Sequence, residues 1–272
     1  MDNREKLKEK IDQYRAQGHK VPQMRFVKTR EQIEGIRASG VINTGVLDYV
    51  SSRIKEGVST QDIDDWVKEY TEGHGAICAP YKYEGYPKHV CVSIDDVVCH
   101  GIPNKKTILK DGDIVNVDVS TILNGYYSDA SRMFIIGKTT PEKERLVNVT
   151  RECLKIGVET VKPWGFVGDV GYAIEQHAEH NGFKVVRDFG GHGVGLEFHE
   201  DPFVYHYGKK GTGCLITPGM VFTIEPMINC RKSGVTVSKL DGWTVRTKDG
   251  LPSAQWEHTI AVFDDHIEIL TY

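Results

Sequence analysis

The stretch DIVNVDVS, residues 113–120, alternates apolar and polar side chains with the two-residue period of a strand. Val115, Val117 and Val119 fall on one face, and Asn116, Asp118 and Ser120 on the other. GMVFTIEP, residues 219–226, repeats the arrangement: Met220, Phe222 and Ile224 group together and Glu225 is aimed the opposite way. Asp118 and Glu225 lie 107 residues apart (225 − 118). The same offset separates Asp62-Ile63 from Asp169-Val170, Gly75 from Gly182 and Gly112 from Gly219. One constant offset across helix, turn and strand indicates an internal duplication rather than a coincidence of common patterns. Two such halves are expected to pack about a pseudo-two-fold axis. The expected class is α+β, with helices covering a curved, mainly antiparallel sheet.

The intervening segments fit this plan. Thr29 and Gln32 form a capping box, and Ile33, Ile36, Val41, Val46, Leu47, Val50 and Ile54 follow at mostly helical spacing. Ile63, Trp66, Val67 and Tyr70 recur at i, i+3, i+4 and i+7 in a second helix. HVCVSI (89–94) reads as a strand, as does YYSDASRMFII (126–136) after an Asn124-Gly125 turn signal. Thr140 caps a helix begun by Pro141, with Glu142 and Glu144 in its first turn. DVGYAIEQHAEH (169–180) is a shorter helix ended by Asn181-Gly182. The first twenty or so residues read as a solvated helix with Leu7, Ile11 and Tyr14 on one side. The chain is thus divided into an N-terminal arm, 1–24, and a catalytic domain, 25–272.

Composition bounds the function. With 39% hydrophobic and 26% charged residues and a net charge of −4, the chain is of the soluble globular type. No basic excess points to nucleic acid, and no apolar run approaches the roughly 18 residues of a membrane span. The N-terminal stretch has no apolar signal region. Cys78, Cys91, Cys99, Cys153, Cys214 and Cys230 include no CxxC pair and read as free thiols of a reducing compartment, the cytoplasm.

Each half supplies a second acid on a later strand: Asp129 in YYSDASR and Glu257 in SAQWEHTIAV. Acids on the surface or in salt bridges are ordinary, but acids inside apolar strands are not. If the four converge, two like charges about 4 Å apart cost roughly 4 kcal/mol at an effective dielectric of 20. Arg132 is the only cationic side chain these strands offer nearby. Two divalent ions about 3.5–4 Å apart would resolve the repulsion. An oxygen-rich set with one imidazole favours Mn, Fe, Co or Zn over a thiolate site. GGHGVGLEFHEDP, residues 190–202, presents His192 and His199 among Gly190, Gly191, Gly193 and Gly195. Each glycine costs a helix roughly 1 kcal/mol relative to alanine, so irregular backbone is expected here, packed close to the site. His192 is then the nitrogen ligand, with His199 left for substrate.

These residues carry a resemblance to the type I methionine aminopeptidases of the pita-bread metallopeptidase superfamily, running from about residue 25 to the C-terminus. Its motifs are CHGIP (99–103), DIVNVDV, SDASR, FGGHGVGLEFH (189–199), FTIEPM and QWEHT. The resemblance implies that Asp118, Asp129, His192, Glu225 and Glu257 bind two divalent ions. It implies catalytic roles for His100, His199 and Glu225: the histidines steady substrate and oxyanion, and Glu225 moves a proton while also being a ligand. It implies that Tyr83, Tyr86, Cys91, Phe198 and Trp243 line a methionine pocket; read alone, these five are ordinary core or surface residues. The implied reaction is metal-dependent removal of the N-terminal methionine from nascent proteins and peptides with a small second residue. The attacking group is a hydroxide bridging the two ions. The partners implied are nascent N-termini and the ribosome, with no sequence-specific nucleic acid, no membrane and a monomeric state.

Two positions depart from the family pattern. Asp95 replaces the Asn of many relatives beside a monovalent-cation site, and Pro80 stands near a pocket-rim position where some relatives carry Cys. Three other readings compete. Proline-specific aminopeptidases of the same fold usually carry an extra N-terminal domain, and CHGIP with Tyr83 and Tyr86 favours methionine. A type II enzyme needs a helical insertion, for which the 33 residues from His192 to Glu225 (225 − 192) leave no room. A non-catalytic ribosome- or chaperone-associated module would have lost ligands, and none is lost here.

Overall fold

The computed structural model describes residues 3–272; Met1 and Asp2, the start of the expected arm, lie outside the described residues. The helices are α1 (Asn3–Ala16), α2 (Arg30–Ser51), α3 (Thr60–Gly73), α4 (Pro141–Thr160) and α5 (Val167–His180). The strands before α4 are β1 (Ile77–Cys78), β2 (Cys91–Ile94), β3 (Val97–Cys99), β4 (Ile114–Leu123) and β5 (Tyr126–Ile135). After α5 come β6 (Lys184–Val185), β7 (Gly191–Gly193), β8 (Glu200–Val204), β9 (Val221–Ile224) and β10 (Met227–Asn229). The last five are β11 (Val235–Val237), β12 (Val245–Thr247), β13 (Ser253–Gln255), β14 (Glu257–Val262) and β15 (Ile267–Ile269).

Nine strands form the main sheet in the order β1-β4-β5-β14-β9-β7-β8, with β2 also on β4 and β15 also on β14. Its pairings are antiparallel. Helices α2 and α3 cover one half. Val115, Val117 and Val119 are buried beneath them with Val46, Leu47, Val50, Ile63 and Val67. Helices α4 and α5 cover the other half, where Phe222 and Ile224 pack with Leu146, Cys153 and Ile174. Each half therefore closes its own core on the helix side and leaves the polar positions of its strands on the opposite face.

The 107-residue offset reappears in hydrogen bonding. Leu109 N donates to Val58 O and Ile216 N to Gly165 O, both at 2.8 Å. Thr60 N to Thr107 O (2.9 Å) is matched by Val167 N to Cys214 O (3.0 Å). Asp62 and Asp169 do the same job: each accepts the N-cap amide of its helix, from Ser59 at 2.8 Å and from Phe166 at 3.1 Å.

Two expectations need correction. Val41 is 68% exposed, because a residue five after Ile36 falls off the buried stripe of α2. The arm is docked rather than solvated: Ile11 is completely buried. Tyr14 stacks on Trp164 (5.8 Å between centroids, 15° between planes), and Lys10 Nζ lies 3.8 Å from the Trp164 ring centre. The Leu7–Ile11–Tyr14 side is an amphipathic helix face, and such a face needs an apolar partner. No helix among the described residues is long and apolar enough to cross a membrane.

Candidate metal centre and substrate pocket

The register of the main sheet builds the site. Cys91, Asp118, Ser131 and Glu257 are successive Cα partners across β2, β4, β5 and β14. Directly opposed residues share a face, so these four stand in one row on the side away from the helices. Asp129, two residues before Ser131, shares that face and sits opposite Ser120, whose hydroxyl donates to Asp129 Oδ1 at 2.8 Å. His258 pairs with Ile224, which places Glu225, just past β9, beside Glu257.

His192 completes the set from β7. The backbone is irregular over residues 194–199, as expected, but 191–193 form a short strand between β8 and β9, and the glycines are what let it fit. A Cβ at Gly191 would lie 2.3 Å from Thr223 O, and one at Gly193 2.3 Å from Asp201 O. Within this strand His192 N donates to Thr223 Oγ1 at 3.0 Å. Its Nδ1 lies 2.9 Å from Gly193 O; a carbonyl only accepts, so the ring proton is on Nδ1. The Nε2 lone pair is left facing Glu225 Oε1 at 3.6 Å and Asp129 Oδ2 at 3.8 Å. Burial lowers the His192 pKa to about 3, which keeps the ring neutral.

The carboxyls behave as a crowded group. Asp118 keeps an edge open to the cavity, yet desolvation raises its pKa to about 7. Glu225 is raised to about 8, by desolvation first and by Asp118 next, against the hydrogen bond from Thr223. Asp129 and Glu257 are both pushed well above the carboxylate range by desolvation first, and then Asp129 by Asp118 and Glu225, and Glu257 by Asp129, Glu225 and Asp118. Ligand atoms of Asp129, His192 and Glu257 all lie within 4.8 Å of one another. At that distance two ionised carboxylates repel by about 3.5 kcal/mol at an effective dielectric of 20. Arg25 is the only lysine or arginine lining the cavity among the described residues. Ser131 Oγ, in the middle of the row, is buried without a protein partner. Four oxygen donors, one neutral imidazole and no internal counter-cation fit a bound divalent metal.

The outer support was not legible as function. Thr223 Oγ1 donates to Glu225 Oε1 (2.7 Å), and Gln255 Nε2 donates to Glu225 Oε2 (3.2 Å). The Glu225 amide donates to the buried His206 Nε2 (3.1 Å). Thr259 Oγ1 brackets the Asp129 backbone, donating to its carbonyl (2.8 Å) and accepting its amide (3.1 Å). The available signal was alternation: Thr223 is two residues before Glu225 and Thr259 two after Glu257, on the same faces.

The cavity over this centre measures about 680 Å³, and every candidate site residue lines it. Tyr83 meets Phe198 edge-on (4.8 Å, 63°), and Tyr86 meets Trp243 (5.2 Å, 79°). The Tyr86 hydroxyl donates to Gly101 O at 2.9 Å, which fixes that ring in the wall. His199 stacks on Phe198 at 4.4 Å, its Nδ1 is 3.0 Å from Tyr83 Oη, and its ring lies 4.3 Å from that of His192. His100 adopts φ +57 and sits edge-on to Trp243 at 5.9 Å; burial lowers its pKa to about 4. Burial also lowers His199, opposed by Glu84. Phe189, Met227 and Phe203 line the cavity as well and had not been singled out. Pro80 is at its edge. Asp95 lies elsewhere, with Lys143 Nζ 2.7 Å from its Oδ1. Among the described residues no helix lies between His192 and Glu225.

Comparison with known proteins agrees with this geometry. Residues 34–264 match the model of metallopeptidase family M24. Methionine aminopeptidase A of Synechocystis sp. is 51% identical over 243 residues, covering 89% of this chain and 96% of that protein. The crystal structure of methionine aminopeptidase from Rickettsia prowazekii superposes with a TM-score of 0.89 at 45% identity, over 90% of this chain and 99% of that one. A prolidase from Pyrococcus furiosus shares the fold alone, with a TM-score of 0.74 at 23% identity and 66% of its length covered. The chain belongs to metallopeptidase family M24 and, within it, to the methionine aminopeptidases.

Proposed function

We propose that this enzyme removes the N-terminal methionine from nascent proteins and peptides whose second residue is small, using two divalent ions drawn from Mn, Fe, Co or Zn. The observation that carries the reading is the row from Cys91 to Glu257, in which a pocket residue and the acids stand side by side. Asp118, Asp129, His192, Glu225 and Glu257 hold the metal. When bound, the ions supply Lewis acidity to the scissile carbonyl and lower the pKa of a water toward neutrality. Glu225, anchored by Thr223 and Gln255, takes up and returns the proton of the attacking water. His100 and His199, both neutral at pH 7, hydrogen-bond the substrate and the developing oxyanion. Tyr83, Tyr86, Cys91, Phe198 and Trp243 enclose the methionine side chain, whose thioether gains about 0.3–1.5 kcal/mol from each aromatic edge it meets.

Residues 1–24 are assigned as an arm and 25–272 as the catalytic domain of a cytoplasmic monomer that meets its substrates at the ribosome. The six free thiols are all buried, in keeping with a reducing compartment. The Asp95 carboxylate already pairs with the Lys143 ammonium, so an auxiliary monovalent cation near it would be held by other oxygens. The test is peptide cleavage by metal-stripped protein before and after adding Mn²⁺ or Co²⁺, followed by mass spectrometry. Metal-dependent release of methionine from Met-Ala-Ser, but not from Met-Lys-Ser, is the expected result. Cleavage of Ala-Pro-Ser instead would move the chain to the proline-specific branch, and no cleavage with any metal would refute the catalytic reading.

A further inference from the structure

Strand β8 ends the main sheet and pairs only with β7. Along it Glu200, Pro202 and Val204 are buried and Asp201 and Phe203 are exposed; Glu200, Asp201 and Phe203 line the cavity. Phe203 is the direct cross-strand partner of His192, so its ring stands on the same face as the metal-site imidazole, one strand further out. The ring covers Gly190, where a Cβ would sit 2.9 Å from Phe203 Cε1. Beyond it Tyr205 follows with centroids 4.5 Å apart. Phe203 and Tyr205 remain 40% and 47% exposed.

The order of strands gives this aromatic track a direction. Cys91, in the methionine pocket, is on β2 at one end of the row; the acids occupy β4, β5 and β14; His192 and then Phe203 lie at the other end. A peptide with its methionine beside Cys91 and its scissile bond over the acids leaves across β7 and β8. Apolar aromatics left open on an edge strand are otherwise an association hazard, so a recurring occupant accounts for them.

We propose that Phe203, backed by Tyr205, receives the side chain of the third residue of the substrate and makes the enzyme favour an aromatic residue there. This rests on the methionine-removal reading above. The test compares kcat/KM for Met-Ala-Trp-Ser and Met-Ala-Gly-Ser in the metal-loaded enzyme and in its Phe203→Ala and Phe203→Trp variants. The wild-type enzyme is expected to prefer the Trp peptide about fivefold, the size of one aromatic pair. Phe203→Ala brings that ratio to within about twofold of unity, and Phe203→Trp restores it. Cleavage of both peptides with a flat ratio in the wild type, or with the same ratio in Phe203→Ala, overturns the subsite alone. Cleavage of neither peptide overturns the underlying activity and the subsite with it.

Discussion

Removing the metal ions should load the site with protons, and a lower bound on their number follows from the structure. Asp129 and Glu257 are held well above the carboxylate range, Glu225 sits at about 8 and Asp118 at about 7. At pH 7 the stripped site therefore keeps nearly one proton on Glu225 and about half of one on Asp118, and Asp129 and Glu257 are shifted in the same direction. His192 adds none, since its pKa of about 3 already leaves it neutral. Metal ligation needs the carboxylates ionised, so loading the ions must expel those protons. Calorimetric titration of stripped protein with Mn²⁺, repeated at pH 7 in buffers of different ionisation enthalpy, counts them. More than about one should appear at pH 7, with the number rising toward pH 5.5 and falling above pH 8. Release of fewer than about one proton would mean that the acids are not crowded, and the argument for a metal cluster from mutual repulsion would fail.

The same shifts set the stability of the stripped protein. A folded pKa raised above its unfolded value favours the native state while the group is protonated. That contribution is complete below the unfolded values of about 4 and is lost as pH climbs through the folded ones. For Asp118 the rise from 3.8 to about 7 corresponds to a loss on the order of 4 kcal/mol. The Tm of the stripped protein should fall from about pH 4 to about pH 8, with the metal-loaded protein much flatter across that window.

Glu225→Gln keeps an oxygen for Thr223 but removes the group that carries the proton; it should abolish peptide cleavage with little change in urea midpoint, and full activity would sink that assignment. Gly191→Ala drives a methyl group to 2.3 Å from Thr223 O, prising β7 from β9. A loss of more than about 2 kcal/mol in urea unfolding should accompany weaker metal binding, because Thr223 contacts both His192 and Glu225. Lys28→Met leaves Glu200 buried without its ammonium partner, and urea unfolding should register a cost of about 3–5 kcal/mol.

The alternation in DIVNVDVS and GMVFTIEP was enough to place Asp118 and Glu225 opposite their cores, because a strand has one period and a buried face enforces it. Which strands become neighbours is a long-range matter. Nothing local says that Glu257 will stand beside Ser131, or that Phe203 will pair with His192. The glycines around His192 are ambiguous in the sequence, because glycine reports both unusual dihedrals and close approach. Here close approach decides, since Gly191 and Gly193 lie in a strand squeezed between two others. The docking of the arm is hidden for a similar reason: its apolar stripe is visible, but its partner, Trp164, is some 150 residues away (164 − 14).

The limits of the repeat explain why the metal site could be read from periodicity and the pocket only from resemblance. Backbone geometry follows the 107-residue offset even where side chains have diverged: Gly57 (φ +84) corresponds to Trp164 (φ +70), and each amide donates to its equivalent carbonyl, Leu109 O and Ile216 O. A tryptophan in that left-handed conformation costs roughly 1–2 kcal/mol, which the stacking of Tyr14 and Lys10 upon it offsets. The offset then breaks at the second acids. Asp118 and Asp129 are 11 apart (129 − 118) across a tight hairpin, whereas Glu225 and Glu257 are 32 apart (257 − 225). The 21 extra residues (32 − 11) fall in the segment containing β10 to β13, and that segment brings Met227 and Trp243 to the cavity and Gln255 to Glu225. Duplication thus supplied each half with two acids that meet on one face of the sheet, a donor set that suits divalent metal. The part of the second half with no counterpart supplied a wall of the cavity proposed to take the methionine side chain. A reading based on symmetry finds what both halves share, and substrate choice lies in what they do not.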